Sequence, residues 1–287
     1  MPRGLDHLVL AVHDLEAAGR LYERLGFQVG GRNRHPWGTE NRLIQFPGSF
    51  LELIAIGDGA QIEPHREGRF GFGAFVRDYL ARREGLAMLV LDSADARADA
   101  ALFARSGLGA FEPFFFERSG RRPDGLAVRV AFTLAFAHDA RAPLAGFFTC
   151  QHHHPANFWN PGFQKHPNGA KALSAAVYAA PDPEAHRDFL VGFTGATPSQ
   201  PAGHDLSFAL ARGRLDVMTA DDAADIYGSV EVEPDSPGFV AFAVRVADVA
   251  RQAHGLDAAA IPYQRIGSRL VIPASAAFGV AMAFEPT

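Results

Sequence analysis

Several absences bound this sequence before any motif does. Cysteine occurs once, at Cys150, in 287 residues, so no internal disulfide can staple the chain and a reducing compartment is implied. No apolar run reaches the roughly 18 residues that a membrane-spanning helix requires. The opening MPRGLDHLVLAV passes directly into a strand-like pattern with no cleavage signature. The expectation is a soluble, cytoplasmic chain with no membrane partner. There is also no basic run: 27 Lys and Arg are scattered among 32 Asp and Glu, for a net charge of -5. Nothing here can track a phosphate backbone, which argues against nucleic acid as a partner. Hydrophobic residues make up 48% and charged residues 21%, near the globular average, which sets aside disordered and fibrous architectures.

What is present is a repeat. Sliding the chain against itself by 81 residues places LDHLVLAV at Leu5 to Val12 on LAMLVLDS at Leu86 to Ser93. The same offset sets Leu21, Tyr22, Arg24 and Gly26 on Leu102, Phe103, Arg105 and Gly107. A strand and the helix after it, ending at a glycine, are therefore duplicated. Three further strand-like runs follow each helix: Phe27 to Arg32, Thr39 to Phe46 and Phe50 to Ile56 in the first unit, and about Phe111 to Arg118, Ala127 to Ala137 and Gly146 to His152 in the second. Each unit reads βαβββ. A fainter third copy starts with the strand Ala172 to Ala179, and a fourth with Phe239 to Val246.

The predicted fold is α+β: four tandem βαβββ modules paired into two cup-shaped domains of mixed β-sheet. The expected N-terminal domain is 1–155, with modules at about 4–60 and 85–155. A Pro- and Asn-rich linker covers 156–170, and a degenerate C-terminal domain covers 171–287.

Four such units, opening on DHLVLAV and carrying FLELIAI as a fourth strand, resemble the vicinal-oxygen-chelate superfamily of glyoxalases, bleomycin-resistance proteins and extradiol dioxygenases. The resemblance covers nearly the whole chain as architecture, with the motif itself confined to Leu5 to Ile56. It implies that metal ligands come from the first and fourth strands of each module, positions that fall here on His7 and Glu52. An imidazole and a carboxylate facing the same way can hold a divalent cation with coordination sites open to two neighbouring oxygens of a substrate.

The 81-residue offset puts Met88 opposite His7, and matching GSFLE to GFFTC puts Cys150 opposite Glu52, so the second module offers neither expected ligand. A third ligand is sought in CQHHHP, where His152 is the choice, completing two histidines and one carboxylate. The metal implied is divalent, with iron, manganese, zinc and nickel all open, and a cup with no metal is the alternative. Glu52 is also the expected base. Trp37, Phe158 and Trp159 suit a wall over a small organic ligand, although packing roles account for them equally. Arg118, Arg121 and Arg122 could clamp a carboxylate or phosphate, although arginines at a hairpin tip are more often solvated.

Two functions compete. One is a metal-dependent lyase, isomerase or dioxygenase acting on a small vicinal-oxygen substrate. The other is a metal-free binding protein for an antibiotic-like small molecule. A third reading gives the second domain a role in forming a homodimer.

Overall fold

The computed structural model describes residues 1–121, 125, 127–201, 205–230 and 236–287. The first half runs β1 (Leu5–Ala11), α1 (Leu15–Arg24), β2 (Asn33–Arg34), β3 (Thr39–Phe46), β4 (Ser49–Ile56), α2 (Phe72–Leu80), β5 (Gly85–Asp92), α3 (Ala96–Arg105), β6 (Phe114–Arg121), β7 (Ala127–Ala137), β8 (Gly146–His152) and α4 (Pro155–Phe158). The second half runs β9 (Ala170–Ala179), α5 (Arg187–Thr194), β10 (Leu206–Ala209), β11 (Arg214–Met218), α6 (Ala220–Tyr227), β12 (Gly238–Val246), α7 (Val249–Ala258), β13 (Gln264–Ile266), β14 (Arg269–Ile272) and β15 (Ala281–Pro286).

These strands form two curled mixed sheets, ordered β2-β3-β4-β1-β5-β8-β7-β6 and β10-β11-β9-β12-β15-β14-β13. Each sheet is built the same way. Two first strands meet antiparallel at the centre, β1 on β5 and β9 on β12, and each lies parallel to the last strand of its own unit. The repeat seen in the sequence is thus a repeat of topology.

The helix starts repeat too. Asp14, Asp95, Asp182 and Asp248 stand at corresponding places after the four first strands, and each side chain accepts a hydrogen bond from the backbone N–H of the helical turn that follows. A cap of this kind contributes about 1 kcal/mol.

Strand alternation sorts the side chains between two environments. Leu8 and Leu10 of β1, Leu51 and Leu53 of β4, and Phe147 of β8 join residues of β9, β12 and the helices in one large core. Val9, Ala11, Phe50, Ile54 and Phe148 line the concave side of the first sheet, together with α2. The concave side of the second sheet is filled by alanines, by Val177 and Val240, and by Ala223 and Tyr227 of α6. The first cup is therefore lined with large aromatic side chains, whereas the second is closed by its own helix.

Three local expectations change. Residues Phe27 to Arg32 form no strand; Gly30 N–H donates to Leu43 O at 2.8 Å and Arg42 Nε donates to Gly30 O, which holds the segment as an irregular crossing. Helices α2 and α6 had no counterpart in the sequence reading. In the third unit the short second strand is reduced, among the described residues, to a bridge between Ser199 and Ser207.

Asp139, in the connection from β7 to β8, ties the halves together. Its carboxylate accepts from His186 Nδ1 at 2.7 Å and from Arg141 Nε at 2.8 Å, and Asp139 and His186 are both buried. Burial works to raise the Asp139 pKa, but the hydrogen bonds from Arg141 and His186 outweigh it and hold the group below the ordinary carboxylate value. Asp139→Ala strands a buried imidazole and is expected to cost about 3 kcal/mol. Because the folded-state pKa is depressed, that stabilisation is present above the unfolded value of about 4 and is lost as pH falls below it. Urea melts of both chains should therefore differ at pH 7 and converge as the pH falls through the range below about 4. An unchanged gap across that range would refute the assignment.

Candidate functional site

The concave face of the first sheet gathers its polar groups onto neighbouring strands. On the parallel ladder His7 stands level with Phe50 and Val9 with Glu52. Glu52 lies between Phe50 and Ile54, both on the concave side, which aims its carboxylate inward. His7 stacks on Phe50 with ring centres 4.1 Å apart and meets the edge of Phe148 at 5.5 Å.

Asp6 is the site residue that sequence reasoning missed. Strict alternation puts it on the opposite face from His7. The β1–β5 register, however, shifts between Leu5 and His7, and a bulge of this kind re-aims one side chain. Asp6 consequently accepts from His7 Nδ1 at 2.6 Å, and its second oxygen lies 3.0 Å from His152 Nε2. Burial works to raise its pKa, yet the two histidines outweigh that and keep Asp6 far below the usual carboxylate range. Asp6 thus engages His7 Nδ1 and His152 Nε2. The other ring nitrogens point elsewhere: His7 Nε2 faces Glu52 Oε2 at 3.8 Å, and His152 Nδ1 is buried with no partner among the described residues.

Glu52 is anchored from its other side, where Asn41 Nδ2 donates to Oε1 at 2.5 Å. Asn41 Nδ2 also lies 3.2 Å from His35 Nε2, and His35 Nδ1 lies 2.8 Å from Thr39 Oγ1. Since the amide nitrogen donates, His35 Nε2 accepts and its own proton sits on Nδ1. Burial, reinforced by the nearby Arg118 charge, pulls His35 down to about 3, so it stays neutral. Burial also pushes the Glu52 carboxyl above its ordinary value against the opposing influence of His7, Asn41 and Arg118. A polar chain therefore runs from Thr39 through His35, Asn41, Glu52, His7 and Asp6 to His152 across a floor of phenylalanines. All of it except His152 is buried beyond nine-tenths.

The sequence-derived residues are thus partly assembled. His7 and Glu52 face each other, and both line a cavity of about 50 Å³ with Trp37 and Phe158. Trp37 stacks on His35 at 4.5 Å. Trp159 stacks on His152 at 5.3 Å and covers it from the side. His152 directs Nε2 to Asp6, not to the His7–Glu52 pair. Arg118 also lines the cavity, whereas Arg122 lies outside the described residues. The parallel ladder of β5 and β8 pairs Met88 with Gly146, which brings Phe148, not Cys150, to the level corresponding to Glu52. The second module accordingly supplies an aromatic wall where the first supplies a carboxylate.

Two groupings present donors suited to a divalent ion. His7 Nε2 and Glu52 Oε2 each bond such ions at about 2.0–2.2 Å, so a separation of 3.8 Å matches two ligands of one ion. Asp6, Cys150 and His152 also bring ligand atoms within 4.8 Å of one another. That second set is the poorer fit, because both Asp6 oxygens already accept from histidines, and burial together with the Asp6 and Glu52 charges holds the Cys150 thiol protonated.

Two curled mixed sheets of paired units, with polar groups on the first and fourth strands of one cup, define the vicinal-oxygen-chelate class. Within it, residues 5–194 match the family described as glyoxalase-like domain, about two thirds of the chain, and the protein belongs to that family. Comparison with curated protein sequences gave no match. Among solved structures, a hypothetical protein from Staphylococcus aureus superimposes with a TM-score of 0.70 at 13% identity, over 99% of both chains. A mutant 4-hydroxymandelate synthase from Streptomyces coelicolor gives 0.60 at 12% identity, over 99% of this chain and 92% of that one. A fusion of a xylose isomerase-like TIM barrel with 4-hydroxyphenylpyruvate dioxygenase gives 0.53 at 17% identity, over 92% of this chain and 40% of that one. Identities this low establish a shared fold. No helix among the described residues is long and apolar enough to cross a membrane.

Proposed function

We propose that this protein is a metal-dependent enzyme acting on a small oxygenated molecule, with His7 and Glu52 as the protein ligands of one divalent ion. The observation that carries this reading is the placement of His7 Nε2, held 3.8 Å from Glu52 Oε2 at the end of a cavity while Asp6 engages Nδ1. The bound ion would act as a Lewis acid toward neighbouring substrate oxygens, a role shared by lyase, isomerase and dioxygenase chemistry. The chain's own groups do the rest. Asp6 sets the tautomer of His7, in the manner of carboxylates behind metal-binding histidines. Asn41 fixes the Glu52 carboxylate. Glu52, on release from the ion, would be suited to take up and return a proton. Trp37, Phe116 and Phe132 keep bulk water from the site.

The test is metal analysis of untagged protein, as purified and after reconstitution, with about one divalent ion per chain expected. Cys150→Ala should keep that ion. Its loss would move the ion to the Asp6, Cys150 and His152 group. Asp6→Asn, which presents an amide where a carboxylate fixed His7, should weaken affinity by about 10- to 100-fold in competition with a chromogenic chelator. Absence of metal even after reconstitution would favour the second reading, a binding module, which the phenylalanine-lined cavity supports.

A further inference from the structure

Arg118 has no role in the reading above, and its surroundings single it out. Two cavities meet at it. The inner one, about 50 Å³, ends at His7 and Glu52; an outer one of about 270 Å³ is lined by Arg32, Asn33, Gln45 and Asn157 as well as Val130 and Phe163, and shares Leu43, Arg118 and Phe158 with the inner. Arg118 thus lines both the outer space and the cavity that ends at the His7–Glu52 pair.

Nearby arginines have acidic partners: Arg32 pairs with Glu16, Arg42 with Glu23 and Arg129 with Glu117. Arg118 differs. Among the described residues its hydrogen bond goes to the neutral side chain of Asn33, and no carboxylate lies within ion-pairing distance. A guanidinium carries five donors in a planar fork, so most remain for something else. Burial disfavours its charge, with Glu52 providing the opposing attraction. A half-buried cation with free donors, facing a cavity, gains most from an anion that fits the fork.

We propose that Arg118 is the anion anchor of this site, and that the ligand it takes is a small monocarboxylate with a flat apolar body. Arg32, the other guanidinium of the outer cavity, is already paired with Glu16 and Glu40, so a single negative charge matches the one guanidinium that remains. A phosphate dianion would place a second charge near Glu52, where like charges repel. The flat body packs against Phe158 and Val130 in the outer cavity. The proposal rests on the proposed function only in taking this cup as the site; the anchor itself needs no metal.

The experiment follows quenching of intrinsic fluorescence, since Trp37 and Trp159 are the two tryptophans of the chain. Wild-type protein, as purified and after chelator treatment, is titrated with phenylacetate, with neutral phenylacetamide and with phenyl phosphate. Phenylacetate is expected to bind at least about tenfold more tightly than phenylacetamide in both samples, the discrimination a charge-assisted hydrogen bond supports. Arg118→Gln should abolish that preference with unchanged metal content and melting temperature, and Arg118→Lys should keep part of it. The wild-type comparison of acid and amide stands even where a variant folds poorly.

Equal affinity for acid and amide, binding of neither at millimolar concentration, or a preference that survives Arg118→Gln would each overturn the assignment. Tighter binding of phenyl phosphate would overturn the ligand class. A preference that disappears on chelation would transfer the anion to the metal. Protein that holds no metal yet prefers the acid would refute the metal reading and leave Arg118 as the anchor.

Discussion

A Glu52→Ala chain is expected to lose the divalent ion proposed for the native protein, falling to below about a tenth of an equivalent under the same purification. The reasoning is coordination number. With His7 and Glu52 as the two facing donors, removal of one leaves a single imidazole, which cannot hold an ion against dilution. Loss of a group merely positioning a ligand already costs about 10- to 100-fold in affinity, and loss of a ligand costs more. The fold should survive. The carboxylate hydrogen bonds to Asn41, which keeps Asn33 and His35 as neighbours after the change. Glu52→Gln retains the hydrogen-bonding oxygen and serves as the control for folding. Elemental analysis and circular dichroism on the three chains decide the matter, and metal retained at native stoichiometry in Glu52→Ala would end the assignment.

Phe147→Ala is expected to produce the largest loss of stability. Phe147 is 1% exposed and sits where the two halves join, its ring 4.9 Å from Phe189, 5.3 Å from Phe193, 5.4 Å from Phe239 and 6.1 Å from Tyr178. Truncating an aromatic at such a position leaves a cavity walled by other rings, at a cost of about 3–5 kcal/mol. For a chain of this size that lowers the melting temperature by on the order of 10 °C. Metal binding should be untouched, because the adjacent Phe148, not Phe147, faces the concave side. A calorimetric shift of less than about 3 °C would mean that the halves are not joined through this cluster.

Much of the architecture was legible because the repeat operates through alternation. Leu8 and Leu10 recur as Leu89 and Leu91 in the same core, and the capping aspartates Asp14 and Asp95 keep the same spacing. Phe27 to Arg32 misled because an apolar start followed by glycines reads as a strand, whereas a backbone hydrogen bond to Leu43 holds it out of the ladder. Helix α6 was missed because its run ADDAADIY carries a short apolar stripe whose partner is the concave face of a sheet assembled from distant strands.

For the site, His7 and Glu52 could be named because the resemblance of their strands to the family places its ligand positions on them. Asp6 could not, because parity fails at a bulge, and a bulge is a property of two paired strands. Arg118 looked like one of three solvated arginines at a hairpin tip, and only the curl of the sheet carries its guanidinium over the cup.

The sequence by itself determined the repeat and the order of strands and helix along each unit, which follow from local periodicity, and its family resemblance pointed to His7 and Glu52. Tertiary structure alone decided that Asp6 lies behind both histidines, that His152 reaches the pair through Asp6, and that Arg118 lines both cavities. Each depends on register and curvature between strands far apart in the chain, and periodicity along one strand does not encode them.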